Sequence, residues 1–171
     1  MGFEYSQLHV VVVAYPAQGH INPMLQFAKR LASKDLKVTF VTTEASHKRM
    51  LQAQEAELGP SKKREKVRFE AFSDGLPPDA DRGDVELVSD MLSKIGEVTL
   101  GNLMESLNAE GNQISCIVQD GFLAWVPEVA KKFNIPSAFF CTQSCAVFSI
   151  YHHFIIGELG IFKLQNLHLC L

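Results

Sequence analysis

Two residues of this 171-residue chain, His20 and Asp120, are candidates for moving a proton between heteroatoms. His20 lies in YPAQGHINP (residues 15–23) and Asp120 in CIVQDG (residues 116–121). A carboxylate that accepts one imidazole N–H fixes the ring's tautomer and stabilises the imidazolium. The second ring nitrogen is then free to take a proton from a hydroxyl. The two residues are therefore a candidate general base and its partner, provided the fold brings them together. The same residues have plainer readings. A histidine at a helix start also acts as a cap or faces solvent, whereas an aspartate ending a buried parallel strand lines a crevice.

The elements around them alternate strand and helix. LHVVVVAYP (8–16) is a continuous β-branched run, the pattern of a strand covered on both faces. INPMLQFAKRLASK (21–34) predicts a helix with Ile21, Leu25, Ala28 and Leu31/Ala32 on one stripe. KVTFVTT (37–43) and VRFEAF (67–72) predict strands, separated by a helix over 46–58. The turn-rich SDGLPPDADRGD (73–84) precedes a helix over about 85–107, interrupted near Gly96 or Gly101. ISCIVQD (114–120) and PSAFFCT (136–142) predict two more strands around a helix over 124–134 that carries Pro127 awkwardly inside it. A last helix follows over 144–157. This alternation predicts an α/β domain, a Rossmann-like parallel sheet with helices on both faces.

With strand order 3-2-1-4-5 the ligand crevice opens between the first and fourth strands at their carboxyl ends. The first strand is read as ending at Pro16, with His20 in the turn after it. The fourth is read as ending at Gln119, with Asp120 immediately beyond. The topology therefore predicts that the two residues face each other, although they lie far apart in sequence.

Composition removes several alternatives. Apolar residues make up 47% of the chain, too many for a disordered segment, and the formal charge of −3 gives no basic field for nucleic acid. KKREK (62–66) reads as a solvated loop. No apolar run reaches the ~20 residues a membrane span needs. The opening apolar run follows Glu4 with no basic residue before it, unlike a signal peptide. Cys116, Cys141, Cys145 and Cys170 form neither a disulfide framework nor a zinc set, so reduced thiols and a cytoplasmic location are expected. AQGHINP supplies one glycine where a dinucleotide fingerprint needs three, which disfavours a dehydrogenase, and no P-loop or nucleophile elbow occurs. His152 and His153 are adjacent on a helix and make a poor metal pair. His9 and His47 have no visible partner, and the aromatic and aliphatic positions around Phe139–Phe148 read as core.

Three segments taken in order, HVVVVAYPAQGHINPMLQFAKRLASKDLKVTFVTT (9–43), SDGLPPD (73–79) and CIVQDGFLAWVPEVAKKFNIPSAFFCTQSCAV (116–147), resemble plant family-1 UDP-sugar-dependent glycosyltransferases. The similarity is to their amino-terminal part and runs to about Gly157. Ala124 before Trp125 departs from the usual proline–tryptophan form. The resemblance implies the N-terminal half of a GT-B fold. Residues 1–157 would be a Rossmann-like acceptor-binding domain and 158–171 an irregular, truncated tail. The UDP-sugar-binding domain would be absent, because its signature around HCGWNS does not occur in these residues.

The resemblance also implies roles. His20 would be the catalytic base and an acceptor contact, and Asp120 its charge partner. Gly19 and Thr142 would meet the donor, and Phe122 would wall the acceptor pocket. Phe122 and Thr142 also read as ordinary packing at strand ends. The implied reaction transfers a sugar, expected to be glucose, from a UDP-sugar to a hydroxyl or carboxyl of a small lipophilic metabolite, with inversion. The acceptor would be phenolic, carboxylic or terpenoid-like. The UDP-sugar would be a co-substrate, with no metal and no cofactor, and no nucleic-acid or membrane partner is expected for a monomer. The alternative is a catalytically inactive truncated product that at most binds small lipophilic ligands.

Overall fold

The computed structural model describes residues 8–57, 66–77 and 80–156. Residues 62–65 of the basic run, Cys170 and the tail expected over 158–171 lie outside these. The elements run β1 (His9–Val13), α1 (Gln18–Ala32), β2 (Lys37–Thr43), α2 (Glu44–Glu57), β3 (Val67–Phe72) and α3 (Val85–Met91). A single π-turn (Leu92–Gly96) leads to α4 (Glu97–Ala109), followed by β4 (Cys116–Asp120), α5 (Val126–Lys132), β5 (Ser137–Phe140) and α6 (Cys145–Ile155). The five strands form one sheet in the order β3-β2-β1-β4-β5, and every adjacent pair is parallel. This is the expected α/β class and the expected strand order.

β1 is central and wholly buried, so its side chains serve the two faces alternately. Val10, Val12 and Ala14 pack with Val38, Phe40 and Val118 against Ile21, Met24, Ala28 and Ala32 of α1. Val11, Val13 and Val41 pack with Ile117 against Leu100, Met104 and Leu107 of α4 and Val126 and Val129 of α5. The stripe of α1 thus turns on Met24 rather than Leu25 or Leu31, which are only partly buried at its margin.

Two glycine contacts explain how the helices of the second face close up. The expected break in the 85–107 helix is the π-turn ending at Gly96. A Cβ there would lie 3.0 Å from Trp125 and 3.1 Å from Phe72, so the bare backbone lets both rings approach. Gly75 takes φ +73, and a Cβ on it would meet Ile95 at 2.9 Å. The segment around it is fastened by Arg82, which donates to the Asp74 carboxylate at 3.0 and 3.2 Å and to the carbonyls of Leu76, Pro77 and Ala80.

Several expectations are corrected. Pro127 is not in the middle of a helix: α5 begins at Val126, so the proline occupies the first turn, where no intrahelical N–H is required. His9 is not without partners. It is buried, donates from Nδ1 to the Asn112 carbonyl at 3.0 Å, and accepts at Nε2 from the Thr39 hydroxyl at 2.7 Å. His47 stacks beside Phe69 with ring centroids 6.5 Å apart. The Phe139–Phe148 region is not core. β5 is an edge strand, α6 has no buried residue, and Phe139 and Phe148 are 47% and 43% exposed.

Candidate active site

The site forms where β1 and β4 end. β1 stops at Val13, earlier than expected, and α1 starts at Gln18, so His20 is the third residue of the helix and not part of a turn. Ala17 is the N-cap and offers no side-chain cap, but its carbonyl accepts from the N–H groups of both His20 and Ile21 at 2.9 Å. Pro23 lies within α1. Having no N–H, it gives no helical bond to the Gly19 carbonyl one turn back. The space above Gly19 is open, since an added Cβ would meet no heavy atom within 4 Å.

Asp120 is the last residue of β4, paired with Phe140 of β5, rather than the first residue after the strand. The pleat puts it on the same face as Val118, the face that α1 covers. There it meets His20. Nδ1 of the imidazole lies 2.9 Å from Oδ2 and 3.1 Å from Oδ1 of the carboxylate. Asp120 is fully buried and the His20 side chain is 15% exposed. An ionised carboxylate only accepts hydrogen bonds, so Nδ1 carries the shared proton and Nε2 is the basic nitrogen. Nε2 makes no hydrogen bond to any described residue.

Asp120 also organises its own turn. Oδ1 accepts from the Phe122 N–H at 2.9 Å, and its carbonyl accepts from Leu123 at 3.0 Å. This holds Phe122 against the imidazole with centroids 4.7 Å apart and planes at 85°. Gly121 belongs to the same turn. A Cβ there would fall 2.4 Å from the Phe139 ring, so that side chain reaches the turn only because the position is bare. From the β5–α6 connection, Thr142 Oγ1 comes within 3.2 Å of His20 Nδ1.

His20, Asp120, Phe122 and Thr142, all singled out in the sequence, therefore meet at one place, with Gly19 beside them in α1. The sequence reading missed Tyr15. Its ring packs 5.3 Å from His20 and 5.4 Å from Phe122, completing an aromatic corner around the imidazole. The available signal was its position just beyond a buried strand, at the carboxyl edge where crevices form. Thr43 Oγ1 and Gln119 Oε1, near the same edge, are buried without a hydrogen-bond partner among the described residues. No group of three or more His, Cys, Asp or Glu side chains among the described residues is arranged to hold a metal ion. No described helix is long and apolar enough to cross a membrane.

The fold and site define an α/β domain with a histidine–aspartate pair at the switch point of a parallel sheet. A family model described as the N-terminal domain of glycosyltransferases matches residues 6–170, and the chain belongs to that family, the amino-terminal domain of plant family-1 UDP-glycosyltransferases. It is 39% identical over 159 residues to gallate 1-beta-glucosyltransferase of Punica granatum, covering 92% of this chain and 31% of that protein. It is 41% identical over 161 residues to (R)-mandelonitrile beta-glucosyltransferase of Prunus dulcis, covering 90% of this chain and 32% of that protein. The crystal structure of Os79 from O. sativa in complex with UDP superposes with a TM-score of 0.70 at 33% identity, over 87% of this chain and 32% of that one. The chain thus spans about a third of the length of the curated relatives it matches.

Proposed function

We propose that this sequence is the acceptor-binding part of a plant UDP-glucosyltransferase, with His20 as the general base. The observation that carries the reading is the His20–Asp120 contact, which commits Nδ1 to the carboxylate and leaves Nε2 as the free basic nitrogen. Nε2 takes the proton of an acceptor hydroxyl as that oxygen bonds to the anomeric carbon of the UDP-sugar. The bond from that carbon to the UDP oxygen breaks, its electron pair leaves with UDP, and the anomeric configuration inverts. Asp120 stabilises the imidazolium that results.

The acceptor is a small lipophilic molecule with an aromatic ring. Phe122 offers its ring beside the imidazole and is 56% exposed, available to a ligand rather than consumed by packing, while the buried Tyr15 ring backs both. The relatives named for gallate and mandelonitrile support an aromatic acceptor, and their names support glucose as the sugar. On this reading Gly19 and Thr142 face the donor. The thiols of Cys116, Cys141 and Cys145 are free, which suits a reducing cytoplasm.

The test is a chimera in which this sequence replaces the matching third of the Punica granatum enzyme. A phenol has an ordinary pKa near ~10 and needs the base. His20→Ala is expected to lower kcat for phenolic acceptors roughly 10²- to 10⁴-fold, with UDP affinity little changed. Near-normal turnover of a phenol by that variant would remove His20 from the mechanism. The rival reading is a catalytically inactive chain that at most binds lipophiles. Incubating the purified 171-residue chain with UDP-glucose and a phenol panel tests the inactive reading, since any glucoside formed excludes it.

A further inference from the structure

The imidazole has more than one acceptor on the side that faces Asp120. Nδ1 lies 2.9 and 3.1 Å from the carboxylate oxygens and 3.2 Å from the hydroxyl oxygen of Thr142. Nδ1 has a single proton to give, and the charge-assisted bond to Asp120 takes most of it. The Thr142 oxygen is therefore a second, weaker acceptor of a shared N–H. The two acceptors come from different elements. Asp120 ends β4, while Thr142 lies two residues beyond the end of β5. β4 and β5 are paired in register up to Asp120 and Phe140, so the sheet fixes the spacing between them. His20 is thus held from α1, β4 and the β5–α6 connection together.

We propose that Thr142 is a positioning residue for His20, its hydroxyl oxygen fixing the plane of the imidazole through the Nδ1 proton. The inference rests on His20 being the base of the proposed reaction. Asp120 alone presents two nearly equivalent oxygens to Nδ1, and a ring held by such a fork can still rock about the N–H direction. A third contact from another strand end removes that freedom and keeps Nε2 aimed at one point in the crevice. Because the Thr142 oxygen accepts from Nδ1, its own proton is directed away from the imidazole and is free for a ligand oxygen. When Nε2 takes up a proton, Nδ1–H becomes a stronger donor, and the chain from carboxylate through imidazole to hydroxyl tightens together. Thr142 would then meet the donor sugar and also carry the state of the base to it.

The first test needs no turnover and uses the 171-residue chain. Imidazole nitrogen and Nδ1–H resonances of His20 are recorded for the wild type, Thr142→Val, which keeps the shape without the hydroxyl, and Thr142→Ser, which keeps the hydroxyl. Exchange of the Nδ1 proton is expected to quicken roughly fivefold in the valine variant, the loss of one net hydrogen bond, and to stay near the wild-type rate in the serine variant. Thr142→Ala serves if the valine variant folds poorly. Unchanged exchange in the valine variant overturns the proposal. Equal changes with valine and serine also overturn it, because they would report packing rather than the hydroxyl.

The second test uses the chimera and compares a phenol with a carboxylic acid, which is ionised before it reaches the site. Positioning of the base predicts a roughly tenfold lower kcat for the phenol in Thr142→Val, a small change for the carboxylate, and rescue by serine. Equal losses for both acceptors with a raised KM for the UDP-sugar would make Thr142 a donor contact alone. A failure in the chimera with an intact resonance result would count against the proposed reaction rather than the contact.

Discussion

Gly19 is the residue at which packing and chemistry ask for opposite things. It sits in the first turn of α1 with open space where a Cβ would go, and its φ is not in the left-handed region. Nothing among the described residues requires a glycine there, and alanine is the better helix former by up to about 1 kcal/mol. Gly19→Ala is therefore expected to raise the urea midpoint of the 171-residue chain. In the chimera, on the proposal that the donor lies against this backbone, the same change is expected to lower kcat/KM for the UDP-sugar roughly tenfold to a hundredfold. A less stable chain would mean that the glycine serves the fold. His9 offers a contrasting residue, buried far from the crevice between Asn112 and Thr39. Burial holds its imidazole below the ordinary value of about 6.5, with Lys37 and Arg68 adding to the effect and the Asn112 carbonyl opposing it. The unfolded chain then binds a proton more readily than the folded one, so stability falls as pH drops below about 6.5. Urea unfolding at about pH 7.5 and 5.5 should show this decline, and His9→Gln should flatten it. An identical pH slope in the variant would assign the decline to other groups. The sequence made His20 and Asp120 visible because topology alone brings them together. Tyr15 and the second acceptor at Thr142 depend on side-chain directions that sequence spacing does not fix.

At the scale of elements, the helices were legible in number and place but not in how they begin. α1 starts at Gln18, three residues before the Ile21 at which the sequence pattern begins it, and carries Pro23 inside it. The proline is tolerated because the one bond forgone, to the Gly19 carbonyl from the N–H that proline lacks, falls in the first turns near the open crevice. The opposite adjustment occurs at Pro127, where the helix begins late enough to place the proline in its first turn. α6 misled for a different reason. An apolar helix reads as buried, yet whether a neighbouring element covers it is not written in its own residues. The π-turn is the element most open to test. Gly96 is wedged between Trp125 and Phe72, and a Cβ there would lie 3.0 to 3.1 Å from those rings. Neither ring has easy room to yield, since Phe72 is only 2% exposed and the two already contact each other edge to face at 6.0 Å. Gly96→Ala is expected to destabilise the chain by about 1–3 kcal/mol, the usual effect of overpacking a core, measured as a lower urea midpoint with an unchanged slope. No loss would mean that the π-turn has slack that these contacts do not suggest.

Across the whole molecule, the sheet order was legible because continuous β-branched strands alternating with helices admit few arrangements, and that order places the crevice. What the crevice offers a nucleotide is a separate matter. Around His20 the described residues present the first N–H groups of α1, open backbone at Gly19 and one hydroxyl at Thr142. A helix N-terminus attracts a phosphate, but one terminus and one hydroxyl leave most of a nucleoside diphosphate in water. Association also costs translational and rotational freedom whatever the number of contacts. The 171-residue chain is therefore expected to hold UDP more weakly than about 1 mM. Titration calorimetry with UDP should give no saturable heat below that concentration, while the chimera should give a clear isotherm. The contrast matters more than either number. Micromolar binding by the chain alone would mean that these residues already complete a nucleotide site, and the donor would then need no second domain to be held.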